Sequence, residues 1–292
     1  MVTNSGSDKV FNIIVNIILG IFALIIILPL LHVLSCSFSA PESVYRGEVF
    51  LLPKDFSLRC YELVLNRSDI WIGYRNTIVY TAIGTVIAVS VQMAAGFALS
   101  RTDLPFRSLM NVIFILTMFV SGGMIPTYLV VRALGLLDKM WAVILPGCIS
   151  AYNIIIVRTF IRSSVPFELQ EAAMIDGCGN LKMFFVIIFP LCMPIVAVMT
   201  LYAIVGYWNS YFNALIYLTD SDKYTLQLVL QNILMQNETG TSGGTISGGE
   251  QALLAEALKY STIVVSSLPI LILYPFFEKY FERGMIVGSL KG

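Results

Sequence analysis

Six long apolar runs, separated by polar and turn-rich segments, dominate this sequence. The cores of the runs contain no Asp, Glu, Lys or Arg, and they are residues 11–35, 76–100, 108–131, 140–157, 183–207 and 260–277. A helix that crosses a bilayer needs about 20 mostly apolar residues. Continuous runs also differ from the alternating pattern of a transmembrane barrel strand. The pattern therefore predicts an all-α, polytopic membrane protein with six transmembrane helices.

The boundaries of these runs divide a single membrane domain, residues 1–292, into spans and connections. The predicted spans are about 10–35, 76–100, 108–131, 140–161, 183–207 and 259–277. Segments 36–75 and 219–257 are predicted to be external, and loop 163–182 to lie on the opposite side. A helical stripe of apolar residues between Phe56 and Leu65 predicts a short helix lying on the outer membrane surface.

Glycine, alanine and proline give two of the spans a distinctive character. The second span is rich in Ala and Gly, which predicts close packing against neighbouring helices. In the third span, Ser121-Gly122-Gly123 and Pro126 predict an interruption of the helix within the membrane. A break that lines a cavity and a simple packing kink are equally good interpretations of that interruption.

Composition and charge exclude several classes of function. Hydrophobic residues make up 57% of the 292 residues and charged residues only 12%, and the mean hydropathy is +0.82. Spans without ionisable groups argue against a proton- or ion-coupled carrier, and the nearest candidate, His32, lies at the end of the first span. The sequence contains no G-x-x-x-x-G-K-[ST] phosphate loop, catalytic triad or metal-ligand pattern. Five cysteines are scattered, and whether Cys36 and Cys60 pair is left open.

Segment 164–177 predicts a short polar helix between two spans. Ser164 offers a capping oxygen and Pro166 suits the first turn. Asp176-Gly177 predicts the end of the helix, with Gly177 at positive φ. A helix of this kind is typical of a docking element, although an ordinary amphipathic connector has the same local pattern.

Several motifs along the chain together resemble one protein family. Glu171-Ala172-Ala173, Asp176-Gly177, Phe184 or Phe185, Ile188, Pro190 and Pro194 resemble the EAA signature of permease subunits in bacterial binding-protein-dependent ABC importers. Phe97 to Arg101 resembles another family sequence, and the tail resembles that of the maltose-type second permease for carbohydrates. The resemblance implies the MetI-like permease fold, with loop 163–182 carrying the coupling helix that contacts an ATPase.

The same resemblance implies site residues. Those expected to couple to the ATPase are Glu168, Glu171, Ala172, Ala173, Met174, Asp176 and Gly177. In the tail, Gly288, Ser289, Lys291 and Gly292 are expected to reach between two ATPase subunits.

Partners and location also follow from the resemblance. It implies a second, non-identical permease, an extracellular binding protein, an oligosaccharide substrate and two cytoplasmic ATPase subunits that bind ATP and Mg²⁺. The chain itself is expected to hold no cofactor or metal, to bind no nucleic acid and not to be an enzyme. Lys and Arg number nine on each side of the membrane, so charge alone does not orient the chain. A docking loop that faces the ATPase implies that both termini are cytoplasmic in a bacterial plasma membrane.

Aromatic and amide side chains alternate after the fifth span. Sugars are bound by aromatic faces together with a few polar groups, as ligand sites commonly are. The candidate substrate path is therefore Tyr202, Tyr207, Trp208, Asn209, Tyr211, Phe212 and Asn213. An aromatic belt at the membrane interface is the alternative for any one of these residues. At the level of function, import of a non-sugar solute and a secondary carrier remain the alternatives.

Overall fold

A computed structural model describes the backbone of residues 6–238 and 248–289, and within these ranges the regular structure is helical. The helices are α1 (Gly6–Ser37), α2 (Pro41–Tyr45), α3 (Arg59–Leu65), α4 (Ser68–Ser100), α5 (Arg107–Phe119), α6 (Met124–Ala133), α7 (Met140–Ile144), α8 (Ala151–Ser164), α9 (Phe167–Ile175), α10 (Asn180–Lys182), α11 (Phe189–Leu191), α12 (Met193–Trp208), α13 (Phe212–Tyr217), α14 (Leu226–Glu238) and α15 (Gly248–Ser289). A π-helical turn covers Met183–Ile188, and 3₁₀ turns cover Leu145–Gly147 and Ser221–Lys223.

Three continuous helices are long and apolar enough to cross a bilayer. They are Lys9–Ser37, Ser68–Ser100 and Glu256–Phe276. Three bent pairs also qualify, namely Arg107–Phe119 with Met124–Ala133 (113°), Met140–Gly147 with Ala151–Ser164 (50°) and Asn180–Leu191 with Met193–Trp208 (85°). The described residues therefore contain up to six spans when each bent pair is counted as one. This confirms the predicted all-helical membrane protein.

Two of the bends fall where the backbone cannot continue a helix. Between α5 and α6, Gly123 adopts a φ of +83°, at the interruption that the sequence predicts. The fifth predicted span, 183–207, is also bent, because α12 turns away from α11 at Cys192. Pro190 and Pro194 lack the N–H groups that an unbroken helical ladder requires.

The membrane helices also begin earlier than their apolar cores suggest. α4 begins at Ser68 rather than at residue 76, and α15 begins at Gly248 rather than at 259. Polar Asn76 is accommodated inside α4 because its Nδ2 donates to the carbonyl oxygens of Asp222 (2.8 Å) and Tyr224 (3.0 Å). A short helix in this segment is confirmed as α3, where Cys60 and Val64 are buried, and its place at the outer membrane surface stays a prediction.

The chain divides into two compact units, Met1–Ser68 with Leu230–Leu268 and Asp69–Val229 with Pro269–Gly292. In the first unit, a buried cluster joins Cys36, Val44, Val49, Cys60 and Ala257. Cys36 and Cys60 are both free thiols within this cluster. Burial raises the pKa of the Cys60 thiol, so it stays protonated and unreactive at neutral pH.

The second unit is built on close contacts of α4 with α8 and α12. A Cβ on Gly96 would lie 2.4 Å from Val157 Cγ1, and one on Gly84 would lie 2.8 Å from the ring of Tyr207. Absent side chains at these two positions let the helices approach one another. Around Val157, the core includes Met93, Phe97, Ile161, Met183, Ile188, Cys192 and Met199. The predicted close packing of the second span is confirmed at both glycines.

An ionic latch in the second unit, formed by Asp138, Lys223 and Asp220, joins the loop before α7 to the loop after α13. Asp138 Oδ1 accepts from the backbone N–H groups of Thr219 and Asp220, each at 3.0 Å. Its Oδ2 lies 2.5 Å from Lys223 Nζ, which also contacts Asp220 at 3.2 Å. Hydrogen bonds from Lys223 and the two N–H groups hold the pKa of Asp138 well below its usual range.

Replacing Asp138 with Asn is expected to flatten the pH dependence of this latch. The depressed pKa means that the carboxylate stabilises the folded state above its unfolded pKa, about 3.9, and that this stabilisation is lost as pH falls through the lower folded pKa. Asn tolerates the positive φ of +57° at this position and keeps an acceptor oxygen, so only the ion pair is removed. Amide exchange at Thr219 and Asp220, divided by the intrinsic exchange rate at each pH, measures the effect between pH 6 and pH 2, because the loss begins only below the unfolded pKa. If both proteins show the same pH dependence, the ion pair does not hold the loop.

Candidate functional site

Helix α9 follows α8 after a single extended junction. Val165 N–H closes α8 on Ile161 O at 2.9 Å, and Pro166 then adopts φ −56° and ψ 139° at the N-cap of α9 without a side-chain cap. Ser164 is the last residue of α8. The prediction that it caps the docking helix is therefore wrong, because the α conformation at Ser164 continues the preceding helix.

The end of α9 is a closed Schellman motif. Cys178 N–H donates to Ala173 O at 2.9 Å, and Gly177 N–H donates to Met174 O at 3.0 Å. Gly177 adopts φ +72°, the left-handed conformation that this motif needs and that glycine adopts without steric cost. The predicted stop at Asp176-Gly177 is confirmed.

Two faces of α9 differ sharply in exposure. The exposed face comprises Phe167, Glu168, Glu171, Ala172 and Ile175. Gln170 and Ala173 are buried on the opposite face, where Ala173 belongs to the core cluster around Val157. This corrects the expectation that both alanines line a docking surface, because only Ala172 is accessible. The coupling roles of the seven predicted residues stay predictions.

Arg101, just after α4, ties that helix to α9 and to the π-helical turn. Its guanidinium forms a bidentate pair with Asp103 at 2.7 and 2.6 Å, and these hydrogen bonds hold the pKa of Asp103 below its usual range. The same group lies 3.5 Å from Met174 Sδ and 3.4 Å from Met183 Sδ. Sequence reasoning noticed the Phe97–Arg101 motif but assigned Arg101 no role. The sequence signal for such a role is the position of Arg101 directly after the apolar run 76–100.

A cavity of about 190 Å³ lies within the second unit, beside the bend between α7 and α8 and the end of α12. Its lining is Ala88, Gln92, Gly147, Asn153, Tyr202, Ala203, Gly206, Tyr207, Ser210 and Asn213. None of these residues carries a formal charge. The polar part of the lining consists of three amides, one serine and two tyrosines.

Hydrogen bonds fix part of this lining and leave part of it open. Tyr207 Oη donates to Ile144 O at 3.0 Å, and Gln92 Nε2 donates to Cys148 O at 3.0 Å. By contrast, the Ser210 hydroxyl is buried and has no hydrogen-bond partner within the described part of the chain. Buried polar groups usually have a partner, so an unpaired hydroxyl in a cavity wall is available to a ligand.

The predicted substrate path is only partly brought together. Tyr202, Tyr207 and Asn213 line the cavity. The other four residues do not: Trp208 is buried, Phe212 is exposed, Tyr211 packs beside a separate cluster, and Asn209 Nδ2 donates to Val205 O of its own helix at 3.0 Å. Gln92, Asn153 and Ser210 were missed. The available signal for Gln92 and Asn153 was an amide in the middle of an apolar span.

The predicted tail site lies at the end of the described chain. Gly288 and Ser289 end the described backbone of α15. Lys291 and Gly292 lie outside the described residues.

Comparison with known proteins decides the family. The sequence profile described as "Binding-protein-dependent transport system inner membrane component" matches residues 1–287. The chain belongs to this family. This permease is 38% identical to the polygalacturonan/rhamnogalacturonan transport system permease protein YtcP of Bacillus subtilis (strain 168). The match covers 98% of this chain and 99% of the relative.

Two further comparisons cover nearly the whole permease. Protein LplC of Bacillus subtilis (strain 168) is 37% identical over 99% of this chain and 97% of its own. A chain from the crystal structure of a bacterial ABC transporter involved in the import of the acidic polysaccharide alginate superposes with a TM-score of 0.84 at 33% identity, covering 96% of this permease and 100% of that chain. The predicted family and the MetI-like permease fold are thereby confirmed.

Proposed function

We propose that this permease forms half of the transport path of an ATP-driven importer for oligosaccharides. A second, non-identical permease supplies the other half, and an extracellular binding protein delivers the sugar. Two cytoplasmic ATPase subunits bind ATP and Mg²⁺, so the permease itself is not the enzyme. Docking of α9 on those subunits places both termini on the cytoplasmic side of the bacterial plasma membrane.

The observation that carries the sugar assignment is the chemistry of the cavity lined by Gln92, Asn153, Tyr202, Ser210 and Asn213. Sugar hydroxyls are both donors and acceptors, and they match amide and hydroxyl groups. Tyrosine faces cover the apolar surface of a sugar ring. The names of the relatives supply independent support, because YtcP is a polygalacturonan/rhamnogalacturonan permease.

Coupling to ATP hydrolysis is assigned to the exposed face of α9. Glu168 and Glu171 present carboxylates there, while Ala172 leaves room for a partner surface to come close. Glu171 is expected to contact a basic group of the ATPase. The Schellman closure at Gly177 fixes the exit from the helix, so that a displacement of α9 also moves the chain that follows it.

The bends in the membrane helices support a switching mechanism. Short helices joined at defined breaks can rotate as rigid pieces, with the change confined to a few backbone torsions. We assign this role to the breaks at Gly123 and Cys192, which bend their helix pairs by 113° and 85°. ATP-driven movement of α9 then alternates access to the cavity between the two sides of the membrane.

Substitution of Asn213 with Ala is expected to lower oligosaccharide affinity in the assembled importer roughly fivefold, the effect of one lost hydrogen bond of about 1 kcal/mol. The matched variant is Asn209→Ala, which removes an amide four residues away that bonds its own helix instead of lining the cavity. Sugar-stimulated ATP hydrolysis and uptake are measured in proteoliposomes containing both permeases, the ATPase and the binding protein.

The outcomes separate the competing functions. Stimulation by an oligosaccharide, with a loss in the Asn213 variant but not in the Asn209 variant, supports both the substrate class and the cavity. Stimulation only by a non-sugar solute contradicts the sugar assignment. Uptake that persists without the ATPase subunits favours a secondary carrier.

A further inference from the structure

Three arginines gather where α5 begins and α8 ends. Arg107 is the first residue of α5, while Arg158 and Arg162 lie one turn apart near the end of α8, and the two helices pack against each other. Arg107 and Arg162 are close enough for their charges to repel that of Arg158. In the part of the chain that the structure describes, none of the three forms a salt bridge with an acidic side chain.

The interior of this cluster contains unmatched polar atoms. Among the described residues, no hydrogen-bond partner exists for the buried Arg158 Nε or for the buried Asn111 Oδ1 on α5, one turn beyond Arg107. A buried donor of a charged group is costly to leave unpaired. The close approach of Gly96 to Val157 and the backbone of Arg158 fixes the other side of α8, so α8 cannot relieve the cost by moving toward α4.

The first carboxylate after α4 in the sequence is already engaged, and the start of α5 adds to the positive potential. Asp103 is held in its bidentate pair with Arg101. Phe106 precedes α5 at φ +56° and gives it no side-chain cap, so the first N–H groups of this 13-residue helix remain open. A helix N-terminus favours negative charge.

Most of the exposed surface of α5 beyond Arg107 is apolar, with Ser108 and Thr117 as exposed polar residues. Leu109, Val112, Ile113 and Leu116 are each about half exposed, and they run along the helix away from Arg107. A ligand that satisfies both regions carries an anionic head and hydrocarbon chains. This combination of charges at a helix end and apolar surface beside it distinguishes a lipid from a soluble anion.

We propose that Arg107, Arg158 and Arg162 bind the phosphate of an anionic phospholipid whose acyl chains lie along α5. The head group neutralises the three cations and supplies an acceptor to Arg158 Nε. Bound there, the lipid bridges α5 and α8 and stabilises their contact. This site is separate from the transport cavity and does not depend on the nature of the transported solute.

The test compares lipid retention in the purified importer. Native mass spectrometry measures retained phosphatidylglycerol against phosphatidylcholine after reconstitution in nanodiscs containing equal amounts of both. Wild type is expected to prefer phosphatidylglycerol, and Arg158→Gln to lose about fivefold of that preference, the contribution of one arginine near a membrane surface. Arg132→Gln is the matched control, since this exposed arginine ends α6 away from the cluster.

Further arginine variants and a comparison with inorganic phosphate test the lipid site. Arg158→Lys keeps the charge but lacks the guanidinium Nε–H, and its lipid preference is expected to lie between those of wild type and Arg158→Gln. If Arg158→Gln does not fold, Arg107→Gln and Arg162→Gln are each expected to show a loss of similar size. Equal lipid preference in all folded variants contradicts the site. Thermal stabilisation by inorganic phosphate alone, equal to that by phosphatidylglycerol, contradicts the assignment to a lipid.

Discussion

Replacing Ala172 with Trp is expected to abolish ATP-driven uptake while the permease still folds. Ala172 lies on the exposed face of α9 between Glu168 and Ile175, so a larger side chain there is not forced into the permease core. A protein interface is packed as densely as a protein interior, and an indole inserted into it separates the two surfaces. We expect a loss of at least about a hundredfold in ATPase binding, as at an interface hot spot.

The neighbouring alanine provides the sharpest comparison. Ala173 is buried in the permease core, so Ala173→Leu is expected to destabilise the permease itself by about 1–3 kcal/mol. Ala172→Ser is the conservative control. Co-purification with the ATPase, uptake in proteoliposomes and the melting temperature of the permease measure the three effects. Normal uptake by the Ala172→Trp variant shows that this face of α9 does not dock on the ATPase.

Replacing Gly96 with Val is expected to prevent stable packing of α4 on α8. Even an added Cβ would lie 2.4 Å from Val157 Cγ1, 2.8 Å from Val157 Cβ and 3.1 Å from the backbone N of Arg158. Val157 is fully buried and Arg158 N belongs to the backbone, so neither can move aside at low cost. We expect a loss above about 3 kcal/mol, beyond the ordinary range for an overfilled core.

Expression and melting temperature in detergent measure this effect. Gly20→Ala is the matched control, because a Cβ there has no neighbour within 4 Å and alanine favours a helix over glycine by about 1 kcal/mol. The double change Gly96→Ala with Val157→Ala is expected to recover only part of the stability lost by Gly96→Ala alone. It removes the 2.4 Å contact with Val157 Cγ1 but leaves the contacts with the Cβ at position 157 and the backbone N of Arg158. Full stability of the Gly96→Val variant contradicts the close approach of the two helices.

Sequence alone predicts the membrane helices well because their signal is local. An apolar run of sufficient length has few structural alternatives in a bilayer. The positive φ angles of Gly123 and Gly177 are also predictable, because glycine adopts them without steric cost. The bend at Cys192 was missed, although Pro190 and Pro194 were both visible. Proline is common in membrane helices and often causes no sharp turn, so the size of a bend depends on the packing around it.

The candidate site was less predictable because it depends on contacts between distant segments. Nothing local distinguishes Ala172 from Ala173, and only the packing of α9 on α8 and α4 buries one of them. The cavity likewise combines Gln92 from α4 and Asn153 from α8 with the end of α12. The substrate path predicted from consecutive residues therefore included Trp208 and Phe212. Both are close in sequence to cavity residues, but neither lines the cavity.

Gln92 lies within α4, and Arg101 follows the end of the same helix without a break in the chain. Nine residues separate them, about 13 Å of helix. Arg101 contacts Met174 of α9, and Gln92 lines the cavity, so this part of α4 connects the proposed docking helix with the proposed sugar site. We expect α4 to move as a rigid body when α9 moves, and the cavity wall would then shift by the same distance as the Arg101 end of the helix.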